Sequence, residues 1–424
     1  MKLAGEGKSP KFFYGWWIVL VAATGLSVGY GPIIVYTFGV FFKPVSEEFN
    51  WSRAQMSLAF SLSLGVMVLA MPLIGRLVDR FGARKVILPS AIIFGATLLS
   101  LYFRSLGRWR FYIVYLVIGL VGAGTTPVPY NSVLSHWFDK KRGLALGLAT
   151  IGIGLSTFIM PAVASALIGK LGWRTAYTMM GLLVIAVTVP VVGLFLKENP
   201  QMMGLTRDGE DVTVLATIER REALEGDSIR DAWHSRTFWL MCIAFFLISA
   251  SVNGCLIHLV PMLRDRSISN QTAVLAASLL GGATLVGRAG TGYLLDRFFA
   301  SHVAVCFFTG AGFGMLLLWG GAVGLLAVVA AILIGLGNGA EADIMAYQMS
   351  RYFGMRAFAE IYSYILAAYT LGGVVGPLVM GLSFDFTGSY RLMLMLFLMA
   401  VLVSVGLMMR LGPYRRWESA AVAV

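Results

Sequence analysis

The stretch Gly75-Arg76-Leu77-Val78-Asp79-Arg80-Phe81 returns 217 residues later as Gly292-Tyr293-Leu294-Leu295-Asp296-Arg297-Phe298, and each copy closes a long apolar run. A second pair of landmarks keeps nearly the same offset. His136-Trp137-Phe138 ends the fourth apolar run and Arg351-Tyr352-Phe353 ends the tenth, 215 residues on. Two landmarks at one offset mark an internal repeat. Six spans separate equivalent points, so the chain returns to the same side of a membrane. The two copies are then related by an axis along the membrane normal.

The apolar runs lie at about 14 to 42, 54 to 78, 86 to 103, 109 to 135, 143 to 169 and 173 to 196, then 236 to 263, 270 to 295, 302 to 320, 322 to 350, 358 to 384 and 390 to 411. Crossing about 30 Å of hydrocarbon takes roughly 20 apolar residues as a helix, because backbone groups there find no partner but one another. Hydrophobic residues are 58% of the 424 and charged residues 13%, with a mean hydropathy of +0.80. Such a chain has too little polar surface for water, and its runs are too long for the alternating strands of a β-barrel. The expectation is an all-α membrane protein of twelve transmembrane helices in two six-helix bundles. Residues 1–197 form the first bundle, 198–235 a polar linker, and 236–424 the second bundle with a short tail. Within the linker, Val214 to Leu224 reads as a short helix. Gly320, Gly321 and Gly324 part the ninth run from the tenth.

A net charge of +12 raises the question of nucleic acid, but the basic residues sit in short loops between spans, where they set orientation. With both termini on one side, that side holds about 22 of the 33 Lys and Arg residues, which predicts an inner-membrane protein with cytoplasmic termini. Arg104, Arg108 and Arg110 crowd one outer loop against this rule. The first run is too long for a signal-peptide core and reads as a retained span. Cys242, Cys255 and Cys306 lie in apolar stretches at spacings that make neither a metal cluster nor a disulfide framework, so no metal or cofactor is expected.

Extended through Gly82-Ala83-Arg84-Lys85, the first stretch resembles the loop signature of the major facilitator superfamily between helices two and three. An acid and several bases at a tight glycine turn can cap neighbouring helix ends and latch one bundle to the other. Gly75, Asp79, Arg80, Arg84, Asp296 and Arg297 are therefore expected as gate and scaffold residues. Two further segments resemble those of the monocarboxylate porters and their bacterial relatives, which include oxalate:formate-type antiporters. One is Tyr14-Gly15-Trp16-Trp17 with Gly39-Val40-Phe41-Phe42-Lys43, which lacks the leading acid. The other is Trp137-Phe138-Asp139-Lys140-Lys141-Arg142-Gly143-Leu144-Ala145-Leu146-Gly147. The resemblance implies a secondary transporter of a small monocarboxylate working by alternating access, with its substrate-binding arginine at Arg288. Drug:proton antiporters carry an arginine where Tyr115 precedes Gly119, and their Gly-Pro pattern in helix five is absent around Pro161.

Arg288 stands inside the eighth run, where an ionised group costs about 2.5 to 3.5 kcal/mol on insertion scales and must face a partner or a wet cavity. A guanidinium fork binds a carboxylate through two hydrogen bonds. Snorkelling to the surface, or a lock to a structural acid, is the alternative. Glu341 and Asp343 are acids well inside the tenth run, two residues apart and so on different faces. Each must pair with a base or bind a proton. His258, before Pro261, can place a proton event near neutrality. His136, His234 and His302 fall at helix ends or loops as bystanders. Tyr36, Asn131, Tyr347, Tyr369 and Thr284 are candidate cavity-lining partners of substrate, and Pro127 and Pro129 interrupt helix four beside them.

Two positions depart from well-studied monocarboxylate porters. Tyr36 stands where they place a lysine, and Thr284 where they place an acid. The proton then falls to Glu341, Asp343 or His258, or the protein exchanges anions and needs none. A second transport reading is efflux of a hydrophobic or cationic compound bound by Glu341 and Asp343, with Arg288 as their mate. An enzyme is not expected, since there are no paired catalytic histidines and no serine with a base at catalytic spacing. The partners expected are a small carboxylate, a proton and the lipid bilayer around a monomer.

Overall fold

Gly172 takes φ 81° and ψ 162°, and this single residue turns the 54-residue helical run Arg142–Phe195 into two membrane spans. An unbroken helix of that length would measure about 80 Å, far beyond the hydrocarbon thickness. The left-handed φ suits a residue without a Cβ. The computed structural model describes residues 13–414 apart from 52, 104–107 and 210–225. Among these, eleven helices are long and apolar enough to cross a membrane, and the division at Gly172 makes twelve spans.

Helix one comprises Gly15–Ser27, a π-helical turn Gly31–Val35, and Phe38–Phe49. Helix two is Arg53–Phe81 and helix three Ala83–Ser100. Helix four comprises Arg108–Gly122, a 3-10 turn Ala123–Thr125, and Pro127–Trp137. Helices five and six share Arg142–Phe195. Helices seven to twelve are Arg236–Asp265, Asn270–Leu295, Ala300–Trp319, Leu325–Phe353, Phe358–Thr387 and Arg391–Met409. No strand occurs among the described residues. Six spans in each half put residues 13 and 414 on the same face as the linker, here the linker side.

Helix one was expected as one run over 14 to 42; instead it breaks at Val28 and continues to Phe49. Its break adjoins that of helix four. The Tyr30 backbone N–H donates to Thr125 Oγ1 at 3.0 Å, so a backbone group freed by one interruption is satisfied by a side chain from the other. Pro127 opens the second part of helix four, where its missing N–H costs nothing.

The linker is docked at both ends. Glu198 accepts the Ala83 and Arg84 backbone N–H groups at 3.0 and 2.8 Å, capping helix three. Asp208 accepts those of Asp139 and Lys140 at 2.9 and 2.8 Å. On the other half, Asp227 N–H donates to Phe353 O, and a capping box of Ser228 and Asp231 starts a short helix Ile229–His234. The helix expected over Val214 to Leu224 lies outside the described residues.

Leu69, Leu325 and Phe386 are 80%, 78% and 87% exposed, an outward apolar surface that only lipid would cover. Inside, helices eight and ten touch backbone to backbone. A Cβ on Gly335 would collide with the Leu280 carbonyl, and one on Gly339 with the Thr284 carbonyl. Small residues permit this approach where no hydrophobic effect drives helices together. Gly335→Val is expected to overpack this seam by about 1 to 3 kcal/mol, lowering the melting temperature in detergent, whereas Gly282→Ala, with open space around its Cβ, should leave it unchanged.

Candidate functional site

The close seam between helices eight and ten sets the Arg288 guanidinium against both acids of helix ten. Glu341 and Asp343 are 0% and 1% exposed, and Arg288 is an electrostatic neighbour of each. Neither acid forms an ion pair with it within 4 Å among the described residues. Arg288 Nε and Nη1, both Glu341 oxygens and Asp343 Oδ2 have no hydrogen-bond partner within geometric limits. Five buried polar atoms of three charged residues that are electrostatic neighbours thus stand without a hydrogen bond within geometric limits, where buried polar groups in folded proteins are as a rule paired.

Further polar groups close around them. Thr150 of helix five places its Oγ1 3.0 Å from Asp343 Oδ1, across the boundary between the halves. Asn131 of helix four donates to the Tyr362 hydroxyl of helix eleven at 3.0 Å, a second bond across that boundary, and Tyr362 faces Asp343 and Arg288. Tyr369 faces Glu341, with Tyr36 of helix one beyond it. Asn338 donates to Thr284 Oγ1 at 3.4 Å, one turn before Arg288. The structure therefore brings together Arg288, Glu341, Asp343, Tyr36, Asn131, Tyr369 and Thr284.

It places two expected site residues elsewhere. His258 Nε2 lies 3.1 Å from Pro377 O and its ring packs on Tyr390, so it ties helix seven to helix eleven near their far ends. Tyr347 lies at the linker side, its hydroxyl 3.4 Å from Arg351 Nη2 and its ring under that guanidinium. Both differ from expectation because a helical position sets depth, while depth alone does not say which neighbour is met. Thr150, Tyr362 and Asn338 were passed over. Polar residues in helices that break nowhere near them carry little signal, although Asn338 adjoins the acids.

At the linker side the halves are tied by helix capping. Asp79 accepts the Ala359 and Glu360 N–H groups at 3.1 and 2.8 Å, at the start of helix eleven. Asp296 accepts those of Gly143 and Leu144 at 2.7 and 3.0 Å, at the start of helix five. A carboxylate at a helix N-terminus meets unsatisfied N–H groups and the positive end of the dipole. Gly75 lies within helix two and not in a turn; a Cβ there would strike the Ala359 carbonyl of helix eleven. The turn residue is Gly82. Arg80 and Arg297 stay on their own halves, over the rings of Phe81 and Tyr293, and Arg84 donates to Gly193 O. The bases that cross are Arg76, 2.8 Å from Glu360, Arg351, 2.9 Å from Asp139, and Arg142, which donates to Ser350 Oγ at 2.7 Å. Burial pushes the Asp139 carboxyl up, but Arg142 and Arg351 outweigh this and hold it below the usual carboxylate value. Its ion pairs are thus present above that range and lost only as pH falls through the depressed value.

Residues 15–377 match the sequence profile of the Major Facilitator Superfamily. The chain belongs to that superfamily. It is a multi-pass membrane transporter and not an enzyme. Among curated relatives it is 26% identical over 407 residues to monocarboxylate transporter 11 of Mus musculus, covering 89% of this chain and 83% of that protein. It is 25% identical over 395 residues to monocarboxylate transporter 13 of Rattus norvegicus, covering 90% and 85%. Among solved structures, the proton:xylose symporter XylE superposes with a TM-score of 0.74 at 15% identity, over 95% of this chain and 96% of that one. The E. coli fucose:proton symporter FucP gives 0.69 at 15% identity, over 95% and 99%. These likenesses establish the fold.

Asp79→Asn and Asp296→Asn are each expected to weaken the closure of the transporter at the linker side. Spin labels at Phe81→Cys and Phe298→Cys, in a background without the exposed Cys306, would report it by pulsed distance measurement. Each variant should add a population at longer distance, and the double variant should add more.

Proposed function

We propose that this transporter carries a small monocarboxylate or related organic anion by alternating access, in symport with a proton. The observation that carries the reading is the partly unsatisfied Arg288 guanidinium at the boundary of the halves. An anion leaving water for a site of low dielectric needs a positive partner to offset its desolvation. Arg288 supplies N–H donors in a fork and lacks an ion pair within 4 Å among the described residues, so a substrate carboxylate can take the place between it and the acids. Tyr36, Tyr369, Asn131 and Thr284 lie within the same cluster and offer hydroxyl and amide partners. The names of the curated relatives support the same substrate class.

Two carboxylates facing one guanidinium leave an excess negative charge that would repel an anion. Protonation of one acid removes it, which favours symport over plain exchange. Efflux of a cation would require Arg288 to be locked to Glu341 or Asp343, and the absence of a close pair speaks against it.

The charge asymmetry of the loops supports an inner-membrane protein whose linker side is cytoplasmic, with residues 1–197 and 236–424 as the rocking units. The capping ties then close the cytoplasmic side. A reporter fused after Val424 should be active only when it reads the cytoplasm; activity confined to the periplasm would reverse the orientation.

Arg288→Lys keeps the charge and loses the fork. If Arg288 binds substrate, the variant should fold normally and its affinity for lactate-like and oxalate-like acids should fall by about 1.5 to 3 kcal/mol, as for charged hydrogen bonds. If Arg288 is a structural mate of the acids, Arg288→Ala should unfold unless Glu341→Gln accompanies it. Thermal stability and carboxylate binding, measured on all three proteins, separate the two. A stable Arg288→Lys protein with unchanged carboxylate affinity would falsify the substrate role.

A further inference from the structure

Glu341 and Asp343 share a helix and a facing guanidinium, yet the structure gives them different companions. Asp343 looks across the boundary. Its Oδ1 lies 3.0 Å from Thr150 Oγ1 on helix five, and the same Oγ1 lies 3.0 Å from the Gly147 carbonyl. A hydroxyl has one proton to give. When Asp343 is ionised, Thr150 donates to it; when Asp343 is protonated, it donates to Thr150, which turns its own proton to Gly147 O. The bond between the halves therefore survives either charge state. Tyr362, itself held by Asn131 of the first half, flanks the same carboxyl.

Glu341 has no companion of that kind. Both its oxygens lack a well-formed hydrogen bond, it is fully buried, and its facing groups, Arg288 and Tyr369, belong to the second half. Tyr36 of helix one is an electrostatic neighbour of Tyr369. Helices seven and nine, which also pack on helix ten, put no charged group against either acid. A buried carboxylate without a hydrogen bond can still accept a proton, and the neutral acid costs far less to bury than the ion.

Resting on the proton-coupled reading above, we infer that the two acids divide the coupling: Glu341 takes up and releases the proton, and Asp343 is a positioning residue that joins the halves through Thr150 whatever its charge. The proton adds to a Glu341 oxygen when the centre is open to one side and leaves from it when the centre opens to the other. The dry centre of the linker-side-closed state favours the protonated form, so acidification should favour closure.

The test uses the purified full chain with spin labels at Phe81→Cys and Phe298→Cys, in mildly acidic and mildly alkaline buffer without any carboxylate substrate. The parent protein should shift toward short distances on acidification. Glu341→Gln should hold the acid-like distribution in both buffers. Asp343→Asn, which can still bond Thr150, should respond to pH as the parent does. Thr150→Val should move toward long distances in both buffers yet keep the response, and Thr150→Ser should restore the parent distribution. Should Glu341→Gln not fold, Glu341→Met is read in the same way. A pH response that survives loss of Glu341, a response lost in Asp343→Asn, or a parent protein without any response overturns the inference. Since no carboxylate is present, each of these outcomes leaves the Arg288 binding result standing on its own.

Discussion

Hydrocarbon offers no hydrogen-bond partner, so every charged group within these spans must be answered by protein or by something carried through it. The rest of the structure depends on how that demand is met at Arg288, Glu341 and Asp343. Close packing of helices eight and ten at Gly335 and Gly339 forces the three into one space. Their neighbours only partly satisfy them: Thr150 reaches one oxygen of Asp343, and Tyr369 faces Glu341. A fully satisfied triad would be a scaffold element. This one retains unused donors and acceptors at the boundary where two moving halves meet.

The frame around that centre follows the internal repeat closely. Asp79 caps helix eleven and Asp296 caps helix five, each on two consecutive backbone N–H groups. Glu198 receives Ala83 N–H, and the Tyr414 hydroxyl receives Ala300 N–H at the equivalent place. The charges depart from the repeat. Arg76 meets Glu360, whereas Tyr293 and Leu144 occupy the related positions. Arg351 reaches Asp139, and its counterpart is His136. In the membrane interior the asymmetry is greater still: Met71 corresponds to Arg288, and the helix-four stretch from Gly124 to Val128 corresponds to the two acids. A symmetric frame that rocks about charge held in one half keeps the motion shared while the chemistry stays local.

The linker adds a constraint of its own. Asp208 binds the loop that leads into helix five, and Gly226 and Asp227 bind the end of helix ten. Those are the two segments that meet through Asp139 and Arg351. The described parts of the linker thus hold the tie between halves from both sides, beyond simply joining one bundle to the next.

Apolar runs, the repeat at 217 residues and the paired Asp79 and Asp296 motifs were enough to set span number, two-bundle architecture and family, because bilayer thickness and the period of a helix act on sequence locally. Arg288, Glu341 and Asp343 were legible for the same reason: a charge inside an apolar run is costly wherever it points. Which groups answer those charges was not legible. His258 and Tyr347 had suitable depth and chemistry but face other neighbours, while Thr150 and Tyr362 became partners only through the packing of helix five on helix eight and helix four on helix eleven. The sequence by itself determined that charge is buried in a twelve-span membrane protein; tertiary structure alone decided its partners, since these come from helices far apart in the chain and their meeting depends on rotation about each helix axis, which local periodicity does not specify when every face is apolar.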